Sequence, residues 1–308
     1  MKEDELALEV SHLRVAFIVG GEETVPVRDV SFAVPAHGRV ALVGESGCGK
    51  SLTALSLARL SPTDRAFVSG EIRVGGRIAY VFQNPSDSLN PVMRIENQIM
   101  EALPPSRRHP ARARIVELLA RTGLPDPARA AHAYPCELSG GQQQRCMIAM
   151  ALAAEPDVLV CAEPTTALDV TTQKQVLELI DSLAAETGMA VLLITHNLGL
   201  VAGRMDFVNV MYAGRIVESG PVLDVLSTPR HPYTQGLLAA VPALDAPRDA
   251  PLADIPGTVP PPSAWPPGCA FAPRCSRAKD VCRREAPADH VDGLRRTACV
   301  LVDDPSKS

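Results

Sequence analysis

Val40-Ala41-Leu42-Val43-Gly44-Glu45-Ser46-Gly47-Cys48-Gly49-Lys50-Ser51, VALVGESGCGKS, is the stretch that decides the fold. Its four leading residues are continuously apolar, as in a strand buried on both faces. The following segment, Ser51 to Leu60, has helical spacing. Between them stands G-x-x-x-x-G-K-S, in the strand-to-helix context that this motif requires. Gly44, Gly47 and Gly49 let the backbone turn tightly. The N–H groups of Glu45, Ser46 and Cys48 and their neighbours can then point inward at phosphate oxygens. The helix adds its positive end. Lys50 is positioned to reach the β- and γ-phosphates, and Ser51 to ligate Mg²⁺. Cys48 contributes only its backbone, because a thiol is too soft a ligand for Mg²⁺.

The surrounding pattern extends this unit in both directions. Ile78 to Phe82, Val158 to Cys161 and Ala190 to Ile194 are further apolar runs bounded by turn signals, and Thr172 to Glu186 has helical spacing. Alternation of this kind predicts an α/β core on a parallel sheet. The segments before Val40, and Phe207 to Glu218 with a turn at Gly214, alternate in polarity and predict an antiparallel flank. Prolines at 104, 105, 110, 125 and 127 break up a helical insertion at about residues 94–150. After Pro229 the chain is proline-rich, reaching PPPSAWPPG at Pro260 to Gly268, where helix and central strand are both poorly supported. The expected organisation is a nucleotide-binding domain over residues 1–228 and a small cysteine-containing domain over 229–308.

Composition narrows the function classes. The chain has 308 residues, 46% hydrophobic and 21% charged, enough for a substantial core. Its net charge of −5 argues against a broad nucleic-acid-binding face. No apolar run approaches the ~20 residues of a membrane span. The opening MKEDELALEV has acids where a signal peptide has bases. These features point to a cytoplasmic protein whose membrane role, if any, runs through a partner.

A second anion-receiving element stands far from the first. Leu138-Ser139-Gly140-Gly141-Gln142 opens another helical run, with bare backbone N–H groups and a hydroxyl at its start. Together, GESGCGKS, LSGGQ, VLVCAEPTTALD (Val158 to Asp169) and LLITHNL (Leu192 to Leu198) resemble the ATP-binding subunit of an ABC transporter. The match runs in order from about residue 6 to 226.

That resemblance implies a P-loop ABC nucleotide-binding domain acting as a head-to-tail dimer. Each ATP would lie between the loop of one copy and Ser139, Gly140, Gly141 and Gln142 of the other. By resemblance, Glu163 polarises the attacking water, His196 contacts the γ-phosphate, Gln83 touches Mg²⁺, and Asp169 lies at the dimer interface. Phe17 is the aromatic assigned to adenine. The implied activity is ATP hydrolysis coupled to transport.

Asn84-Pro85-Ser86-Asp87-Ser88-Leu89-Asn90-Pro91, His231-Pro232-Tyr233-Thr234, Ile255-Pro256-Gly257 and Gly268 to Cys275 are similar to the dipeptide, oligopeptide and nickel importer branch. This implies two transmembrane permease subunits, an extracytoplasmic substrate-binding protein and a second ATP-binding subunit, more in keeping with a heterodimer than a homodimer. It places the chain peripherally on the cytoplasmic face of the inner membrane, without nucleic acid. The rival class is a soluble ABC protein acting on ribosomes or nucleic acid, which would carry tandem domains or basic insertions.

Cys269, Cys275, Cys282 and Cys299 follow C-x5-C-x6-C-x16-C. Thiolates can hold Zn²⁺ or a [4Fe–4S] cluster, and this spacing matches neither a common zinc site nor a ferredoxin. Free or bridged thiols also remain open, and the resemblance favours the cluster.

Two departures stand out. The stretch from Gly70 to Gln83 is shorter than in that branch. Position 162 is Ala where the family has the Asp that supports Mg²⁺ through ordered water. Side chains alternate along a strand, so Cys161 points away, and Asp157 lies ~16 Å back. Three readings stay open: a weakened site in an asymmetric dimer, a tolerated natural substitution, or an introduced change. The first would make the chain an ATP-binding regulatory half with little hydrolysis of its own.

Overall fold

A computed structural model describes residues 6–60, 63, 65–108, 111–166, 168–241 and 254–302. In chain order its strands and helices begin with β1 (Leu6–Val19), β2 (Glu22–Pro35), β3 (Arg39–Val43), α1 (Lys50–Leu57), β4 (Ala66–Val74) and β5 (Ile78–Val81). Next come α2 (Pro85–Ser88), α3 (Ile95–Ala102), α4 (Ala111–Arg121), α5 (Pro127–His132), α6 (Gly140–Ala153), β6 (Val158–Ala162), α7 (Val170–Thr187) and β7 (Ala190–Thr195). The remainder is β8 (Phe207–Tyr212), β9 (Arg215–Pro221), α8 (Val222–Ser227), α9 (Pro232–Ala239), α10 (Asp280–Arg284), β10 (His290–Asp292) and β11 (Arg295–Thr297). The chain divides into two compact units.

The first unit is built mainly from Val74–Leu193 with Val34–Gly38. Its strand order is β7-β6-β5, and β5 pairs with β6 in parallel, Ile78 opposite Val158 and Val81 opposite Cys161. Val158 to Cys161 and all of β7 are buried, as their unbroken apolar runs require. Beside these strands lies the helical insertion. Helices α3 and α4 pack on α6 and bury Ile95, Ile99, Ile115, Leu118 and Leu119. Local chemistry sets the helix ends. Asp126 caps α5, with Pro127 in its first turn. α7 ends at Gly188, in the left-handed conformation that glycine adopts without steric cost.

The second unit comprises Glu9–Ala33, Arg39–Arg73 and Ile194 onward. Its strand order is β4-β1-β2-β9-β8-β3. β3 pairs with β8 in parallel, Val40 opposite Phe207 and Val43 opposite Val210. β8 and β9 form the antiparallel hairpin expected at Gly214, with a register shift between Val210 and Met211.

The tail departs from the sequence expectation. It carries α9, α10 and the antiparallel pair β10–β11, and β11 extends the sheet by pairing with β9, Arg296 opposite Ser219. Prolines exclude regular structure only where they stand. Ile255, Phe271, Ala272, Ala298 and Leu301 are all buried, so the tail has apolar residues enough to pack. Among the described residues no helix is long and apolar enough to cross a membrane.

Candidate functional site

The phosphate loop lies in the second unit, between β3 and α1. Gly47 and Gly49 have φ of +82° and +109°, values that strain residues with a side chain. A Cβ on Gly49 would also stand 2.9 Å from the Pro26 carbonyl. Lys50 is 5% exposed, and its ammonium donates to the carbonyls of Gly44 (2.6 Å) and Glu45 (2.9 Å). Those oxygens hold the charge where a polyphosphate would compete for it. Ser46 and Gly47 are exposed at the loop tip, and Ser51 is exposed at the start of α1. Helix α1 has no side-chain cap, which leaves the first N–H groups of the helix to serve the loop. Cys48 is fully buried, and burial lifts its thiol above the usual range.

Glu45 is tied from two directions by residues distant in sequence. Its N–H donates to the Tyr233 hydroxyl at 2.8 Å, and Arg274 donates to both carboxylate oxygens at 2.6 and 3.0 Å. His196 is exposed just beyond β7, and Phe17 is half-buried on β1.

The first unit carries the remaining predicted residues. Ser139 caps α6 by accepting from the Gln142 N–H (3.4 Å), while Gln142 Oε1 accepts from the Ser139 N–H (3.0 Å). No atom lies within 4 Å of a Cβ built on Gly140, so that face of the helix start is open. Asp169 caps α7, accepting from the N–H groups of Thr171 and Thr172 and from the Thr172 hydroxyl. The Thr172 hydroxyl and N–H hold the Asp169 carboxyl below its usual range. The Thr172 methyl carbon stands 3.1 Å from a Cβ built on Gly141, so the aspartate loop and the glycine pair are neighbours. Gln83 is exposed, between β5 and α2.

Glu163 follows β6 with φ of +50°, a left-handed conformation uncommon outside glycine. Its carboxylate accepts from the Thr166 hydroxyl at 2.9 Å. Backbone strain of this kind often marks a functional position. Ala162 is half-buried beside it. Asp157 cannot supply the missing charge, since Oδ2 accepts from the Arg77 N–H at 2.7 Å. Cys161 is fully buried, its thiol pushed up to about 12 by burial.

Cys269, Cys275, Cys282 and Cys299 line one cavity of about 20 Å³, together with His231 and Phe271. Backbone N–H groups of Phe271 and Ala272 bond the Cys269 sulfur, that of Arg277 bonds Cys275, and that of Leu301 bonds Cys299. Burial lifts Cys299 to about 11. The donor set suits soft metal chemistry, but a cavity of this size admits about one water. Among the described residues no three His, Cys, Asp or Glu side chains form a group that could hold a metal ion.

Sequence reasoning missed Arg274, Tyr233 and Tyr212 as neighbours of the phosphate loop. No local signal links them to it, because Arg274 is 229 residues from Glu45. The β10–β11 turn did carry a signal, Asp292-Gly293 between alternating residues.

The ABC transporter family matches residues 27–166, and the oligopeptide/dipeptide transporter C-terminal region matches residues 217–282. A Brucella abortus protein, provisionally named a peptide import ATP-binding protein, is 45% identical over 315 residues, spanning 95% of this chain and 94% of its own. A Brucella ovis protein with the same provisional name is 47% identical over 311 residues, spanning 91% and 92%.

Among solved structures, the ATP-binding cassette MJ0796, a dimer bound to ADP and Pi after hydrolysis, aligns with a TM-score of 0.58 at 24% identity. It covers 70% of this chain and 98% of its own. CbiO1 of Clostridium perfringens, part of the ABC transporter complex CbiONQ, aligns with a TM-score of 0.60 at 24% identity, covering 73% and 92%. At that identity both speak to fold alone.

Proposed function

The chain belongs to the ATP-binding family of ABC transporters, and from that premise we propose that it is the ATP-hydrolysing subunit of a peptide importer. The observation that carries this reading is the phosphate loop, with Lys50 buried against its carbonyls and a free helix start at Ser51. The names of the Brucella relatives supply the peptide. Nickel or a related small solute is the alternative cargo. Residues 1–228 are read as the nucleotide-binding domain, with its helical subdomain at about 94–150, and 229–308 as the tail domain.

In this reading Gly44 to Ser51 receive ATP, Ser51 and Gln83 hold Mg²⁺, and Phe17 stacks on adenine. Glu163 orients the attacking water and His196 contacts the γ-phosphate. Ser139, Gly140, Gly141 and Gln142 serve the ATP of a partner subunit across an interface that includes Asp169. That partner is read as a second, different ATP-binding chain. Two transmembrane permeases and an extracytoplasmic binding protein complete the assembly, which places this chain on the cytoplasmic face of the inner membrane.

A second reading is favoured by Ala162. Without the carboxylate that orders water around Mg²⁺, this half-site turns over slowly and the chain acts as the regulatory half of an asymmetric dimer. From the resemblance alone we also read the four tail cysteines as ligands of a [4Fe–4S] cluster; the cavity of about 20 Å³ that they line would have to open to admit one. Iron and acid-labile sulfide analysis of anaerobically purified protein tests that assignment.

The functional test is reconstitution with the permeases in vesicles containing trapped ATP and Mg²⁺. Peptide uptake that is lost in Lys50→Ala supports the reading. Recovery of the chain with ribosomes or nucleic acid, and no uptake, would replace it.

A further inference from the structure

We propose that Arg274 is a positioning residue of the phosphate loop, holding Glu45 so that the loop accepts nucleotide. The inference rests on reading Gly44–Ser51 as the ATP site.

Glu45 is a junction. Its carbonyl accepts from the Lys50 ammonium (2.9 Å) and the Cys48 N–H (3.4 Å), and its N–H donates to the Tyr233 hydroxyl (2.8 Å). Its carboxylate takes a two-pronged grip from Arg274 at 2.6 and 3.0 Å. A shift of this one residue therefore moves the carbonyl that holds Lys50.

Arg274 is itself fixed. Its side chain is 5% exposed. The guanidinium also donates to the carbonyls of Ile255, Pro256 and Gly257 and to the Tyr212 hydroxyl. Tyr212, Tyr233 and Phe271 form an aromatic cluster with ring centroids 4.6, 5.3 and 5.4 Å apart, and the guanidinium stands 5.8 Å from the Tyr212 ring. The turn Cys269–Cys275 holds its backbone, with the Arg274 N–H donating to Phe271 O at 2.9 Å. A planar, fully engaged guanidinium has little freedom, so it transmits its position to the carboxylate it grips.

Charge gives a second reason. Glu45 places a carboxylate in a loop that must receive a polyanion. Left unpaired, it would repel the phosphates, and the Arg274 pair neutralises it.

The test measures dissociation of mant-ATP with Mg²⁺ from the full chain, alongside each variant's unfolding midpoint. Arg274→Ala should weaken binding about tenfold, the size of one broken charge network. Arg274→Lys, which keeps charge but loses the fork, should weaken it roughly threefold. Arg274→Ala combined with Glu45→Gln should recover only part of the loss, because the unpaired charge is gone but the grip on residue 45 is not restored. Full recovery would reduce the role of Arg274 to neutralising Glu45 and overturn positioning. A merely structural role would lower the unfolding midpoint and leave affinity within twofold in both Arg274 variants, which overturns the proposal. If Arg274→Ala does not fold, Arg274→Lys and Tyr233→Phe decide by the same criterion. Failure of the wild-type chain to bind mant-ATP sinks the nucleotide-site reading itself, a result distinct from unchanged affinity in the variants.

Discussion

Thr166 donates its hydroxyl to Glu163 Oε2 at 2.9 Å, three residues past a backbone held at φ of +50°. The bond fixes one carboxylate oxygen of Glu163. Glu163→Gln keeps the size and the Thr166 contact but removes the carboxylate that the proposed function casts as the base. General-base loss costs about 10²–10⁴ in rate. The expected outcome is ATPase activity reduced at least about 100-fold, with mant-ATP affinity unchanged. Turnover near the wild-type rate would remove Glu163 from the catalytic role.

Ala162 precedes that residue at the end of β6. Asp157 and Cys161 are both committed elsewhere, so nothing nearby on the strand replaces the absent carboxylate. Outer-shell partners of metals are worth about 10–100-fold in affinity or activity. Ala162→Asp in the assembled transporter should raise ATPase activity by about tenfold and lower the Mg²⁺ concentration required. If rate and Mg²⁺ dependence both stay put, the weakened-site reading is discarded.

A buried charge network anchors the tail hairpin. Glu218 is 0% exposed on β9 and accepts from the N–H groups of Arg230 and His231 and from Arg295 Nη2 on β11. Removing one member of a buried pair costs about 3–5 kcal/mol, because the other is left charged and unpaired. Glu218→Ala should lose about that much in urea unfolding, and amide protection in β10–β11 should fall first. A loss under about 1 kcal/mol would show that the network contributes no more than a surface pair.

How far these features could be read from sequence depends on their range. VALVGESGCGKS carries strand, glycines, lysine and helix in one local signature, and β3 and α1 stand where it places them. The Ser139–Gln142 box is similarly local. The Arg274–Glu45 pair is not, since it joins the loop to a turn among tail cysteines. The left-handed Glu163 is also invisible in sequence, because no glycine advertises it. Proline content concealed β11, whose pairing depends on β9 and not on its own composition.

His231 gives a pH prediction. It is fully buried at the start of α9, and its Nδ1 accepts from the Tyr233 N–H at 3.0 Å. Burial pushes the imidazole down to about 3 from 6.5. A depressed histidine is neutral when folded, whereas the unfolded chain takes up a proton below about 6.5. The unfolded state then binds more protons, so stability is fully present above about 6.5 and is lost as pH falls towards 3. One such group contributes a slope of up to about 1.4 kcal/mol per pH unit. His231→Asn keeps a capping acceptor for α9 but cannot titrate. Urea unfolding at pH 4.5 to 6.5 should show a shallower slope in the variant than in the parent chain. Parallel slopes would mean that the buried imidazole does not govern acid stability.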